Sequence, residues 1–210
     1  MKKLEFFNYL LKTFGVEKPI FIGEIKIKDL EYCAIRKQVQ ELVKEGKLIN
    51  KSRGVYFIPK KNEYNLPSMI SFEDIYVKKY IKDDKEVYGY YSGLWLENKL
   101  GISTQVPNVI TIFTNKETNI KRVTNINGWK IVLKKPYVQI NKNNYKVLQF
   151  LEILRSLVDK DFYEHIDIVI KAKESSDISE KEIEKYIGYF PKFVLKRYQY
   201  IKENINVFTR

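Results

Sequence analysis

Apolar side chains recur at helical spacing from the start of the chain. Leu4, Phe7, Leu10, Leu11 and Phe14 predict a helix over residues 3–14, and Gly15 is a natural stop. Residues 19–25, Pro-Ile-Phe-Ile-Gly-Glu-Ile, read as an extended piece followed by a short helix. The clearest helix of this half spans 29–45. Asp29 is its expected N-cap, Ala34, Ile35, Val39, Leu42 and Val43 form one stripe, and Gly46 ends it. Two β-prone runs, 47–50 and 55–59, flank the turn Lys51-Ser-Arg-Gly54 and predict a hairpin. Helix, short helix, helix and basic hairpin is the order of a winged helix-turn-helix.

Polar residues dominate 60–71, with Asn62, Asn65, Pro67 and Ser68, and predict a linker. Helical patterns follow at 72–82 and 92–100, the second with Ser92 as its expected cap and Gly101 beyond its end. Val106–Thr114 alternates as a strand. Residues 121–124 and 129–134 flank Asn127-Gly128, a strong hairpin signal. Helical spacing returns at 143–158, through Val147, Leu148, Leu151, Leu154 and Leu157, and again near 162–173, 179–188 and 192–204. The predicted fold class is α+β. A winged helix-turn-helix over 1–61 and a linker at 62–71 precede a mixed C-terminal domain at 72–210, with a small sheet and a helical tail.

Composition narrows the function. One Cys excludes a disulfide framework within the chain, and with one His it excludes a Cys/His zinc site. No apolar run reaches the roughly 18 residues of a membrane span. Glu5, Asn8 and Lys12 interrupt the signal-like start, so a cytoplasmic protein is expected, with no membrane partner. The formal charge is +12, which favours a polyanionic partner. The basic residues are mostly Lys, in a chain also rich in Ile, Asn and Tyr, so AT-rich coding accounts for part of the excess. Its distribution argues for more than coding bias. Residues 1–61 hold 14 basic and 7 acidic groups, a net of +7, and the longer remainder holds 24 and 19, a net of +5.

With Ile35, Val39 and Leu42 inward, Tyr32, Arg36, Lys37, Gln40 and Lys44 face outward from helix 29–45. These residue types reach base edges and phosphates, and the early part of a recognition helix enters the major groove. Lys51 and Arg53 are expected at the hairpin tip, as wing contacts to phosphate or minor groove. Singly, each is an ordinary solvated residue; together with the local charge they point to DNA. Cys33 is expected to fill space in the helix, and His165 to be a surface or helix-end residue. Asp159-x-Asp161 lacks the upstream Gly-Ser turn of a nucleotidyltransferase, and Glu24-Ile-Lys26 lacks the upstream Asp of a metal-dependent nuclease. P-loop, Gly-x-Ser-x-Gly and His-Glu-x-x-His motifs are absent, so no enzyme and no cofactor is expected. In the distinctive stretch 90–115, Leu94, Leu100, Ile102 and Val106 are expected in the core. Thr104 and Gln105 are expected to satisfy the turn or to face a partner.

Ser92-Gly93, with Leu100-Gly-Ile-Ser-Thr-Gln-Val-Pro107, resembles the core motif of AbiEi-like antitoxins. Val39, Leu42-Val-Lys-Glu-Gly-Lys-Leu-Ile49, Arg53-Gly-Val-Tyr56 and Pro59 resemble the winged-helix end of the same family. The likeness covers about residues 20–135. It implies the antitoxin of a type IV toxin–antitoxin system, with a nucleotidyltransferase-like toxin as functional partner. It further implies autorepression through inverted repeats in the chain's own promoter, and antitoxicity in the C-terminal domain. The alternatives are a module that neutralises a toxin by direct contact, through a basic tail at 179–210, a regulator without a toxin, and a metal-dependent nuclease.

Overall fold

A computed structural model describes residues 3–60, 63, 64 and 66–208. Asn62 and Asn65 of the expected linker lie outside the described residues. The chain divides into two compact units, Met1–Lys78 and Lys79–Arg210. The division falls inside a helix that sequence alone assigns wholly to the second domain. Both units combine helices with a small sheet, so the fold is α+β.

In the first unit, α1 (Lys3–Phe14) leads to β1 (Ile20–Phe21) and a 3₁₀ turn at Ile22–Glu24. Helix α2 spans Tyr32–Lys44, β2 Ile49–Ser52 and β3 Val55–Phe57. The strands form an antiparallel sheet in the order β1-β3-β2. Phe6 and Leu10 of α1 meet Ile35, Val39 and Leu42 of α2 in one apolar core with Ile20, Ile25, Leu48 and Ile58. Leu4 and Leu11 of the predicted stripe are exposed, because Phe6 occupies the buried ridge of α1.

Asp29 does not cap α2. Its backbone sits in the left-handed region at φ 61, in a turn, and Glu31 precedes the first helical residue. Cys33 is exposed rather than packed, since it lies on the face opposite Ile35 and Val39. Lys51 is not at the hairpin tip. Asn50 pairs with Tyr56 and Ser52 with Val55, so Lys51 is the extra residue of a bulge and only Arg53-Gly54 forms the loop. Gly54 takes φ 74, the left-handed conformation such a tight turn requires.

Helix α3 (Phe72–Tyr80) carries the chain from one unit to the other. The second unit contains β4 (Gly89–Ser92), α4 (Gly93–Lys99), β5 (Val109–Thr114), β6 (Lys121–Ile126) and β7 (Trp129–Lys134). The strand order is β4-β5-β7-β6, with β5 and β7 parallel and the outer pairs antiparallel. The Asn127-Gly128 turn forms as the sequence predicts, with φ 49 and 89. Five helices follow: α5 (Tyr145–Ser156), α6 (Asp159–Glu164), α7 (Ile166–Ser175), α8 (Glu180–Ile187) and α9 (Lys192–Phe208).

The core of this unit is built around α5. Val147, Leu148, Phe150, Leu151, Ile153 and Leu154 are all buried and cluster with Tyr90, Phe113, Phe162, Val169, Ile183 and Val194. The helix expected at 162–173 is two helices, broken at His165, whose φ of −120 and ψ of 28 are not helical. The strand expected from Val106 begins at Val109. Val106 is 79% exposed, while its neighbour Pro107 is buried. The Asn98 carboxamide explains this turn, because it donates to both Ser103 O (3.1 Å) and Gln105 O (3.0 Å). Ile102 is buried as expected, Leu100 is half-buried, and Leu94 is exposed on α4.

Candidate nucleic-acid interface

Helix α2 is amphipathic, and its polar face is open. Tyr32, Arg36, Gln40 and Lys44 are all exposed, and four-residue spacing sets them in one row along the helix. Lys37 is exposed beside that row. At 1.5 Å per residue, the row runs about 18 Å, enough to follow several base pairs in a major groove about 12 Å wide. Ile35, Val39 and Leu42 hold the opposite side in the core.

The hairpin presents its two cations differently. Arg53 is exposed in the loop. Lys51 is half-buried, its ammonium 4.5 Å from the centre of the Phe72 ring, a cation–π contact that anchors it to α3. The loop itself is fixed by Ile22 N–H donating to Gly54 O at 3.0 Å. The structure therefore gathers Tyr32, Arg36, Lys37, Gln40 and Lys44 on one helix face, carries Arg53 on a separate loop, and turns Lys51 towards an aromatic ring.

Two further cations of this unit were missed from sequence. Lys26 and Lys28 are exposed just before α2, beside an open hollow of about 430 Å³ lined also by Ile25, Leu30, Tyr32 and Ile35. The alternation Ile25-Lys-Ile-Lys28, apolar inward and basic outward, is the signal that marks them. The Tyr9 hydroxyl secures this segment by donating to Lys26 O at 3.0 Å.

The carboxylates considered for catalysis have other partners. Glu24 pairs with Lys78 at 3.0 Å, and Asp159 with Arg197. Among the described residues, no group of three or more His, Cys, Asp or Glu side chains is placed to hold a metal ion. His165 ends α6 and begins α7, the helix-end position expected of it.

The second unit contains a polar knot between its sheet and α5. Glu152 is fully buried. It accepts from Ser92 Oγ at 2.6 Å and from Arg155 through Nε at 2.7 Å and Nη2 at 2.5 Å. Ser92 occupies the N-cap position of α4, yet its hydroxyl serves Glu152 rather than the helix. Burial pushes the nearby Tyr90 hydroxyl far above its ordinary range, reinforced by the Glu152 charge. Burial also lowers the Lys134 ammonium, helped by the neighbouring Arg155.

Glu97 is also buried, on α4, and accepts from Ser156 Oγ at 3.0 Å. Burial raises its carboxyl above the usual range, against the lowering effect of that hydrogen bond. A raised folded-state pKa favours the protonated form in the native chain. That contribution is complete below the unfolded pKa and is lost as pH rises through the folded one. Glu97→Gln, which fixes the neutral form, should therefore melt higher than the parent near pH 7. The gap should close as the pH falls to about 3.5, where both chains carry a neutral side chain. Thermal melts followed by circular dichroism at both pH values check this; an equal or lower midpoint near neutrality would contradict it.

Among the described residues, no helix is long and apolar enough to cross a membrane. Residues 20–178 match the family model of DUF6088, a family of unknown function. No curated protein matches the chain.

Proposed function

The chain belongs to the DUF6088 family, and we propose that it is a double-stranded-DNA-binding repressor of the antitoxin type, without catalytic activity of its own. In this reading the first unit is a winged helix-turn-helix: α2 is the recognition helix, and the β2–β3 hairpin is the wing. The observation that carries it is the exposed row Tyr32-Arg36-Gln40-Lys44 with Lys37 beside it, on a helix whose other face is core. The net charge of +7 over residues 1–61 supports it.

The mechanism follows from the groups available. Lys44 and Arg53 displace counterions from phosphates and set register, while Lys51 stays on the Phe72 ring. Tyr32, Arg36, Lys37 and Gln40 read base edges in the major groove. Inverted repeats in the chain's own promoter are the proposed target. A nucleotidyltransferase-like toxin is the proposed functional partner, opposed through the second unit in the cytoplasm. This part rests on the resemblance to AbiEi-like antitoxins.

Arg36→Ala and Arg53→Ala separate the two kinds of contact. Binding is measured by gel shift on the duplex upstream of the chain's own gene and on a scrambled duplex. Arg36→Ala should lower the ratio of the two affinities by about 5- to 100-fold, the value of one bidentate base contact. Arg53→Ala should weaken both duplexes about equally and reduce the salt slope by about 1. An unchanged ratio in Arg36→Ala would mean that α2 does not read the bases.

A further inference from the structure

We propose that the groove between α4, α5 and α7 is a binding site for a small amphiphilic anion, a ligand with an apolar body and a carboxylate or phosphate at one end. The groove is lined wholly by residues of the second unit and shares none with α2. Its volume is about 560 Å³, within the range of about 300–1,000 Å³ typical of small-molecule sites. Leu100, Phe150, Ile153 and Ile168 supply an apolar floor.

Its cations come from three different helices. Lys99 ends α4, Lys146 lies in the first turn of α5, and Lys171 is on α7. All three are exposed, and among the described residues lining the groove no side chain is acidic. Two of the lysines are held by neighbours. The Lys99 ammonium lies 5.0 Å from the Tyr91 ring centre and 5.5 Å from that of Trp95, and Lys146 Nζ donates to Ser176 O at 3.2 Å. Lys171 has only a loose, solvent-exposed pairing with Asp167 at 3.8 Å, which leaves it able to re-aim.

A lining that carries three lysines and no carboxylate around an apolar hollow leaves positive charge without a counter-charge in the lining and leaves greasy surface wet. A ligand that is apolar in the middle and anionic at its edge relieves both. Gln149, Ser175 and Tyr145 add hydrogen-bonding groups around the same opening. A fatty-acid carboxylate and a nucleoside monophosphate share this chemistry.

The test is an NMR titration of the full chain with octanoate and with AMP, each beside its neutral counterpart, 1-octanol or adenosine. The proposal expects saturable shifts at groove residues for at least one anion, bound about tenfold or more tightly than its neutral counterpart. Preference for octanoate assigns a fatty-acid ligand, and preference for AMP a nucleotide. The double variant Lys146→Glu/Lys171→Glu should weaken the anion by about tenfold or more and leave the neutral counterpart unchanged. An unchanged thermal midpoint shows that the variant is folded, and the comparison of anion with neutral counterpart in the parent chain stands without it. The proposal is overturned by no saturable binding of either anion up to about 10 mM. It is equally overturned if anion and neutral counterpart bind alike.

Discussion

Gly89→Ala should unfold the second unit under conditions where the parent chain is stable, at a cost of about 3–5 kcal/mol, a large fraction of typical domain stability. Gly89 opens β4, paired with Thr114 of β5, and the chain at Tyr80–Ile81 passes directly over it. A Cβ at this position would lie 2.1 Å from Tyr80 O, 2.8 Å from Phe113 O and 3.1 Å from Ile81 Cα. All three are backbone atoms, so no side chain can rotate to make room. The crossing also has its own hydrogen bonds, because Tyr88 N–H and Gly89 N–H both donate to Ile81 O, at 2.8 and 2.9 Å. The methyl group would have to break these or displace β4 from β5. Gly188→Ala is the control. Nothing lies within 4 Å of its added Cβ and its φ is −63, so its effect should stay within about 0.5 kcal/mol. Urea unfolding of the two variants checks the pair. A mild effect at Gly89 would mean that this crossing is looser than described.

The second large effect belongs to Arg197. Its guanidinium is buried on α9, where Nη1 donates to Leu154 O at 2.6 Å and Leu157 O at 2.8 Å, and Nη2 donates to the Asp159 carboxylate. The group also stacks near Phe162 and Phe193, at 5.0 and 5.3 Å from the ring centres. One side chain therefore satisfies the carbonyls at the end of α5, draws in the first turn of α6, and joins both to α9. Arg197→Met keeps much of the apolar bulk and removes every donor. The orphaned carbonyls should cost about 2–4 kcal/mol. Arg197→Lys should recover only part, because one ammonium cannot reproduce a planar fork with several acceptors. The same unfolding series reads this out. Equal stability of the Met variant and the parent would show that packing alone holds the junction.

Much of the first unit was legible because its information is local. The stripe Ile35, Val39, Leu42 has a single helical solution, and that solution exposes Tyr32, Arg36, Lys37, Gln40 and Lys44. Asn127-Gly128 named its turn for the same reason. The errors arose where a residue's role depends on distant chain. Lys51 looked like a loop residue until the pairing of Asn50 and Ser52 with β3 made it a bulge beneath Phe72. Strand β4 was missed because its four residues are mostly buried on both faces and show no alternation. Ser92 looked like a helix cap, yet its hydroxyl serves Glu152, sixty residues away. Arg197 gave no sign in sequence of reaching Leu154 and Leu157, because carbonyl acceptors carry no residue signature. Val106 fitted a strand pattern, but the turn is set by Asn98, a polar residue of the preceding helix.

In the proposed function, the first unit recognises a specific duplex. A gel-shift titration of the full chain tests it most directly, with DNA from upstream of its own gene against a scrambled duplex, at two salt concentrations. Selective binding of the upstream duplex is expected at both salts. Affinity should fall with log salt at a slope of about 0.9 per phosphate contacted, while selectivity survives. Equal, weak binding to both duplexes that disappears at the higher salt would contradict it, and would reduce the basic surface of this chain to a general affinity for polyanions.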